Sequence, residues 1–192
     1  ESFRREIIHQ QHNCWIDFYE TNSQSLMIQV LDIIEDTMVD GPGFRTSIYC
    51  AGCYHECPGC HNPQSWNPGG GHPMTTDEVM KIIVADPYAN VTFSGGDPLY
   101  QAEGFTELAR AIRSQTQKTI WCYTGFTFEA IVKIPRYRQL LDEIDVLVDG
   151  PFVKSLRDED LLFRGSSNQR LVDVPASLVK GEVVEFHPDV EV

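Results

Sequence analysis

The sequence lacks the features that would place it in a membrane or on nucleic acid. No apolar run approaches the roughly 20 residues that cross a bilayer, and the start carries no basic-then-apolar secretion pattern. Lys and Arg number 15 against 28 Asp and Glu, a formal net charge of −13, and they form no basic block that could follow a phosphate backbone. We therefore expect a cytoplasmic protein that does not bind nucleic acid directly.

Cysteine is also scarce, and its distribution does not suit disulfide bonds spread over a fold. Four of the 6 cysteines, Cys50, Cys53, Cys57 and Cys60, lie close together, as free thiols in a reducing compartment can. Zinc ribbons place about 15–20 residues between their two CxxC pairs, and ferredoxins use C-x2-C-x2-C with a distant fourth cysteine. Neither order is found here, although zinc binding and plain electron transfer stay open as alternatives.

Three of these cysteines have a spacing that suits an iron–sulfur cluster with one open iron. Cys53, Cys57 and Cys60 follow the order C-x3-C-x2-C. Three thiolates are one fewer than a [4Fe–4S] cluster needs, so one iron would remain free for another ligand. Cys50 and Cys122 lie within apolar strand patterns, where we expect buried, inert thiols.

This spacing and the motifs around it resemble the radical S-adenosylmethionine family. Residues 40–45 (Asp-Gly-Pro-Gly-Phe-Arg) and Gly52 are similar to the signature of the activating enzymes that install glycyl radicals. Five further motifs resemble the branch of these enzymes that serves anaerobic ribonucleoside-triphosphate reductases; they lie at residues 57–60, 94–99, 121–126, 145–150 and 164–170. Activases of pyruvate formate-lyase share part of this pattern. A non-catalytic iron–sulfur electron carrier is the alternative from another class.

The resemblance implies two cofactors, a [4Fe–4S] cluster on Cys53, Cys57 and Cys60, and S-adenosylmethionine on the open iron. It further implies an oxidoreductase whose deoxyadenosyl radical takes hydrogen from a backbone glycine of the reductase, with a flavodoxin-type or other low-potential electron donor. The residues expected to contact S-adenosylmethionine are Gly59, Cys60, His61, Gly95, Gly96, Asp97, Thr124 and Asp149.

Physical chemistry supports some of these contacts and leaves others open. Gly95 and Gly96 have no Cβ, so their backbone can approach the methionine end of the cofactor, and Asp97 can accept a hydrogen bond from its amino group. The loop histidines His55 and His72 are interpreted as polar loop residues. The motif at 164–170 has no chemical role that its residues reveal; a turn and a donor-rich surface are equally good interpretations.

Strand and helix patterns alternate along the chain after residue 26. Apolar, β-prone runs predict strands at residues 27–34, 46–50, 90–94, 119–123 and 146–148. Thr75 and Glu78 form a capping box that opens a helix, residues 105–112 repeat at helical spacing, and weaker helical patterns occupy 127–142. Residues 51–72 are predicted to be an irregular loop. This order predicts an α/β fold, a radical-SAM-type partial (β/α) barrel with mainly parallel strands and its site residues at the strand C-terminal ends.

The first residues differ in character from the rest. Residues 1–26 are polar and without a clear strand or helix period, and we expect them to be an extension, non-native or disordered. Their His9, His12 and Cys14 are not expected to bind a metal. Residues 27–192 are expected to form one activase domain.

Overall fold

A seven-stranded mixed sheet forms the centre of the computed structural model, which describes residues 26–188. The strands are β1 (Met27–Thr37), β2 (Arg45–Cys50), β3 (His72–Thr75), β4 (Asn90–Gly95), β5 (Ile120–Tyr123), β6 (Val146–Asp149) and β7 (Arg170–Asp173). Their order across the sheet is β3-β1-β2-β4-β5-β6-β7. Strands β2, β4, β5 and β6 pair in parallel, whereas β1 and β3 on one side and β7 on the other pair antiparallel.

Helices connect the parallel strands. They are α1 (Thr76–Ala85), α2 (Ala102–Gln115), α3 (Phe128–Ile131), α4 (Pro135–Leu141) and α5 (Val174–Lys180). Helix α1 precedes β4, α2 joins β4 to β5, and α3 and α4 join β5 to β6. The predicted α/β fold with mainly parallel central strands is confirmed. The sheet is open, because β3 and β7 stand at opposite ends of the strand order.

Helix α1 begins where the sequence predicts it. The Thr75 hydroxyl accepts a hydrogen bond from the Glu78 N–H at 3.3 Å, and the Glu78 carboxylate accepts one from the Thr75 N–H at 2.8 Å. These two bonds satisfy backbone donors that a helix start otherwise leaves without partners. The cap thereby sets the turn between edge strand β3 and the first crossover helix.

The two faces of the sheet have different surroundings because successive strand residues point to opposite sides. Cys122 joins the main core between sheet and helices, where the Phe93 and Phe105 rings pack with centroids 4.9 Å apart. Its neighbour Trp121 joins a smaller cluster with Val146 on the opposite face. Burial of one such apolar side chain contributes about 2 kcal/mol to the free energy of unfolding. The helices thus cover one face and leave the other for the site.

The structure differs from the sequence prediction at the sheet edges. Strands β3 and β7 and helix α5 were not predicted, and β1 runs to Thr37, three residues beyond the predicted end. The loop before β3 contains only a short 3₁₀ helix, Pro63–Trp66. The predicted extension, including His9, His12 and Cys14, lies outside the described residues except for Leu26. Among the described residues, no helix has the length and apolar character to cross a membrane.

Candidate cluster and cofactor site

A cavity of about 740 Å³ lies at the carboxyl ends of the parallel strands. Each of the four strands contributes a wall: β2 through Tyr49, β4 through Ser94 and Gly95, β5 through Tyr123, and β6 through the following Gly150. Strand ends of a parallel sheet meet at one edge, so motifs far apart in sequence converge there. The predicted convergence of the strand-end motifs on one cavity is what the structure shows.

Cys53, Cys57 and Cys60 all line this cavity. Their loop is tied to the chain behind it, because the Cys53 N–H donates to the Trp66 carbonyl at 3.2 Å. Within the loop, the Cys60 N–H donates to the Cys57 carbonyl at 3.0 Å, and Gly59 adopts a left-handed conformation with φ 80°. A residue with a Cβ is strained at that φ, which explains glycine between two of the thiols.

The donor set fits an iron–sulfur cluster. All three cysteines are free thiols of intermediate exposure, and thiolates are the ligands that such clusters use. Among the described residues, no group of three His, Cys, Asp or Glu side chains is arranged around a single metal ion. A cluster presents a different iron to each thiolate, so its ligands do not have to converge on one point. Cys53, Cys57 and Cys60 are therefore the residues that would hold it.

Burial raises the pKa of two of these thiols, Cys53 and Cys57. Burial raises the pKa of Cys53 to about 11, against the opposing effect of the backbone N–H groups of His55 and Glu56. Burial also raises the pKa of Cys57. Because metal ligation requires the thiolate, iron binding here must release protons. Cys50 and Cys122 are fully buried in the core, as predicted from their strand patterns.

Gly95 and Gly96 both line the cavity, and close packing explains why neither position has room for a side chain. A Cβ on Gly95 would lie 2.4 Å from the Cys50 nitrogen, and a Cβ on Gly96 would lie 2.4 Å from the Gly52 carbonyl oxygen. Real Cβ contacts are never that short. These glycines therefore permit a close approach to the backbone that leads into the cysteine loop, and the predicted approach to the cofactor stays a prediction.

The Asp97 carboxylate is buried within the protein. It is 0% exposed and does not line the cavity. Its oxygens accept hydrogen bonds from the Leu99 N–H at 3.0 Å, the Gly125 N–H at 3.0 Å and the Thr124 hydroxyl at 2.9 Å. His55 Nε2 lies 3.0 Å from Oδ2. Asp97 thus joins the strand end to the cysteine loop, and its predicted bond to the S-adenosylmethionine amino group stays a prediction.

Asp149 also lies behind the cavity wall. Its side chain is 1% exposed, pairs with Arg170, and accepts a hydrogen bond from the Phe128 N–H at 2.8 Å. A buried carboxylate needs such partners to offset its desolvation. Thr124 does line the cavity while its hydroxyl bonds to Asp97.

Gly59 and His61, the two predicted residues on either side of Cys60, differ in their relation to the cavity. His61 lines the cavity, and its ring lies 5.3 Å from that of Phe152. Gly59 is exposed and is not among the residues that line the cavity, and a Cβ on it would lie 3.2 Å from the Lys154 side chain. The predicted contact of Gly59 with the cofactor thus stays a prediction.

Several cavity residues were not predicted. His55 was interpreted as a polar loop residue but lines the cavity and contacts Asp97, which lies 42 positions away. Tyr49 also lines it, and its hydroxyl bonds to the carboxylate of Asp40, another lining residue. Strand alternation was the available signal for Tyr49, because Ile48 and Cys50 on either side face the core.

Arg45 explains how the motif at residues 40–45 reaches the cavity. Its guanidinium is buried, donates to the Thr92 hydroxyl and the Val91 carbonyl at 2.6 Å each, and lies 5.3 Å from the Trp121 ring centroid. The Thr92 hydroxyl in turn donates to the Asp40 carbonyl at 2.9 Å. This network holds the motif across the open sheet face and keeps the Asp40 side chain in the cavity wall.

Comparison with known proteins assigns this site to a class. A family model for a 4Fe-4S single cluster domain matches residues 39–172, a range that includes all three cavity cysteines. The chain therefore contains a 4Fe-4S single cluster domain.

Curated relatives identify the branch. The chain is 37% identical over 140 residues to the anaerobic ribonucleoside-triphosphate reductase-activating protein of Escherichia coli (strain K12). The aligned region covers 69% of this chain and 90% of the relative. The chain is 40% identical over 141 residues to the protein of that name from Salmonella typhimurium, at the same coverage. The relative from Enterobacteria phage T4 is 36% identical over 139 residues, 69% of this chain and 86% of the relative.

The chain belongs to the family of anaerobic ribonucleoside-triphosphate reductase-activating proteins. The predicted family, its [4Fe–4S] cluster with S-adenosylmethionine, and its class as a radical S-adenosylmethionine oxidoreductase are thereby confirmed. Among solved structures, QueE from Escherichia coli is similar with a TM-score of 0.46 and 13% identity over 53% of each chain. The assignment rests on the sequence relatives.

Proposed function

We propose that this protein generates a glycyl radical on an anaerobic ribonucleoside-triphosphate reductase. The observation that carries the proposal is the convergence of Cys53, Cys57 and Cys60 on one cavity at the carboxyl ends of the parallel strands. The relatives that match over 90% of their own length are named as activators of this reductase. Their names favour the reductase over pyruvate formate-lyase as the partner.

When bound, the cluster and S-adenosylmethionine would supply the chemistry, a one-electron reductive cleavage that yields a radical able to take hydrogen from glycine, and Cys53, Cys57 and Cys60 would hold the cluster. The chain provides binding and orientation. Three thiolates hold the cluster, Gly95 and Gly96 form a wall without side chains, and Asp97 fixes Thr124 and the cysteine loop relative to each other. Holding these walls rigid keeps the reacting atoms in position.

The substrate is proposed to be a backbone glycine delivered by the partner protein. Glycine presents a Cα without a side chain to block approach, and its radical is delocalised over the flanking amides. A partner loop would enter this cavity, whose lining includes Tyr49 and Asp40. The electron is proposed to come from a flavodoxin-type or other low-potential donor, which restores the cluster for each cleavage.

A cellular location and a domain boundary are proposed along with this function. The free thiols suit a reducing compartment, so we place the protein in the cytoplasm. Residues 27–192 are proposed to form one activase domain that does not need residues 1–26. A chain that starts at Met27 should then melt at the same temperature and bind as much iron as the full chain; a large drop in either value would contradict this.

Electron paramagnetic resonance tests the function. The reduced, reconstituted protein is mixed with S-adenosylmethionine and the reductase, and a doublet from a glycyl radical is expected on the reductase. A Cys57→Ala variant treated in the same way should give no doublet. Cleavage of S-adenosylmethionine without any doublet would show that the radical acts elsewhere, and absence of cleavage would favour a plain electron carrier.

A further inference from the structure

The motif at residues 164–170 contacts the segment that walls the cavity beside the cysteines. This wall segment, residues 150–157, has little regular structure of its own, with one 3₁₀ turn at Lys154–Leu156. Two of its residues, Gly150 and Phe152, line the cavity together with Cys57 and Cys60. Its position must therefore be fixed by contacts from elsewhere in the chain.

Three side chains of the motif make those contacts, and we call Ser166, Asn168 and Gln169 the clamp. The Gln169 side-chain amide donates to the Gly150 carbonyl at 3.1 Å, and the Asn168 amide donates to the Pro151 carbonyl at 2.8 Å. The Ser166 hydroxyl accepts from the Val153 N–H at 3.2 Å. The clamp thus binds the backbone on both sides of Phe152.

The clamp is itself ordered by Gln169. Its side-chain oxygen accepts hydrogen bonds from the Gly165 N–H at 3.0 Å and the Ser166 N–H at 3.2 Å, and Ser166 is fully buried. A backbone bond from the Ser167 N–H to the Leu156 carbonyl at 2.9 Å holds the far end of the wall segment. Side-chain amides that satisfy several buried backbone groups fix a loop without regular structure.

Phe152 is wedged between the clamp and the cysteine loop. Its ring lies 5.3 Å from that of His61, and a Cβ on Gly165 would come within 3.2 Å of it. On the other side, a Cβ on Gly59 would lie 3.6 Å from the same ring. The residue after His61 bonds to a cluster-binding sulfur, because the Asn62 N–H donates to the Cys60 Sγ at 3.4 Å.

We propose that Ser166, Asn168 and Gln169 are positioning residues that hold Phe152 against His61, keep the Asn62 N–H on the Cys60 sulfur and thereby set the reduction potential of the cluster. An N–H that faces a ligating sulfur stabilises the additional negative charge of the reduced cluster. This inference rests on the proposed function only in that a cluster is bound by the three cysteines. It gives the motif a role that its sequence alone does not reveal.

Two neutral substitutions test the proposal without adding charge near the cluster. Asn168→Ala removes the donor to Pro151, and Gln169→Met keeps the side-chain length while removing all its hydrogen bonds. Ser167→Ala is the matched control, because among the described residues the exposed Ser167 side chain makes no hydrogen bond. Each protein is reconstituted anaerobically, and its iron content, melting temperature and cluster midpoint potential are measured.

Both variants are expected to have a more negative midpoint potential than wild type and to lose iron to a chelator roughly tenfold faster. Ser167→Ala should match wild type in both respects. If Asn168→Ala does not fold, the midpoint potential and the rate of iron loss of Gln169→Met test the proposal. A wild-type potential in the loaded variants, or a more positive one, overturns the inference while leaving the proposed function intact. Failure of the wild-type protein to bind a cluster on the three cysteines would instead overturn the proposed function itself.

Discussion

His55 Nε2 lies 3.0 Å from the Oδ2 atom of Asp97, which links the cysteine loop to the end of strand β4. The same carboxylate accepts hydrogen bonds from Thr124 and from the Gly125 N–H at the end of strand β5. A Cβ on Gly125 would lie 2.5 Å from the His55 ring, so glycine is required for this contact. One buried carboxylate therefore joins three walls of the cavity.

We expect Asp97→Asn to destabilise the protein before any cofactor is added. An amide nitrogen cannot accept the hydrogen bonds that Oδ1 or Oδ2 now receives, and unsatisfied buried donors should lower the free energy of unfolding by about 3 kcal/mol. Urea unfolding of the metal-free protein measures this. Asp160→Asn, at an exposed loop position, should change it by less than about 0.5 kcal/mol. Equal effects of the two substitutions would refute the buried network.

Gly95→Ala should be more damaging than a glycine replacement with the same backbone strain in open space. Gly95 has φ 97° and no room for a Cβ, whereas Gly181 has φ 78° and nothing within 4 Å of the Cβ position. Gly181→Ala should thus cost about 1 kcal/mol from backbone strain alone. Gly95→Ala should cost about 3 kcal/mol or more, because Cys50 must also move. Thermal unfolding of both variants measures these costs. Equal losses of unfolding free energy in the two variants would contradict the close packing of Gly95 against Cys50.

Cysteine replacement separates ligands from core thiols. We expect Cys53→Ala, Cys57→Ala and Cys60→Ala to lose the cluster after anaerobic reconstitution. Cys122→Ala should keep it, because this thiol is fully buried on the helix-covered face of the sheet. Iron and sulfide analysis gives the result, and melting curves control for folding. Loss of iron in a folded Cys50→Ala together with retention in Cys57→Ala would show that the ligand set is wrong.

Acid should weaken the ion pair between Glu129 and Arg170. The hydrogen bond from Arg170 lowers the pKa of Glu129 from 4.5 to about 2. A lowered carboxyl pKa stabilises the fold above about pH 4.5, and this contribution is lost as pH falls through about 2. Glu129→Gln should therefore flatten the fall of melting temperature over that range. At pH 7 it should cost less than about 1 kcal/mol, since the side chain is 54% exposed. An unchanged pH profile would contradict the assignment.

Local patterns predicted those parts of the fold that depend on local physics. The capping box at Thr75 and the strand-end motifs are short-range signals, and the structure has them where expected. Strand β3 was missed because it contains Pro73, which a sheet edge tolerates and a central strand does not. The buried position of Asp97 was missed because its partners come from separate strands and loops.

The wall of the cavity shows the same limit. The spacing in the sequence was enough to predict that the three cysteines lie together, because they belong to one continuous loop, and all three line the cavity. The contacts of Gln169 with Gly150 and of Asn168 with Pro151 join residues 19 and 17 positions apart through side chains. No periodic pattern encodes such contacts. They become visible only once the sheet has placed β6 and β7 side by side.

Transfer of deuterium tests the central claim most directly. The reductase is prepared with α-deuterated glycine and mixed with the reduced, cluster-loaded protein and S-adenosylmethionine, and the 5′-deoxyadenosine formed is analysed by mass spectrometry. A radical generated in this cavity and directed at a partner glycine predicts one deuterium in 5′-deoxyadenosine. Cleavage that yields only unlabelled 5′-deoxyadenosine in the presence of the reductase would contradict it.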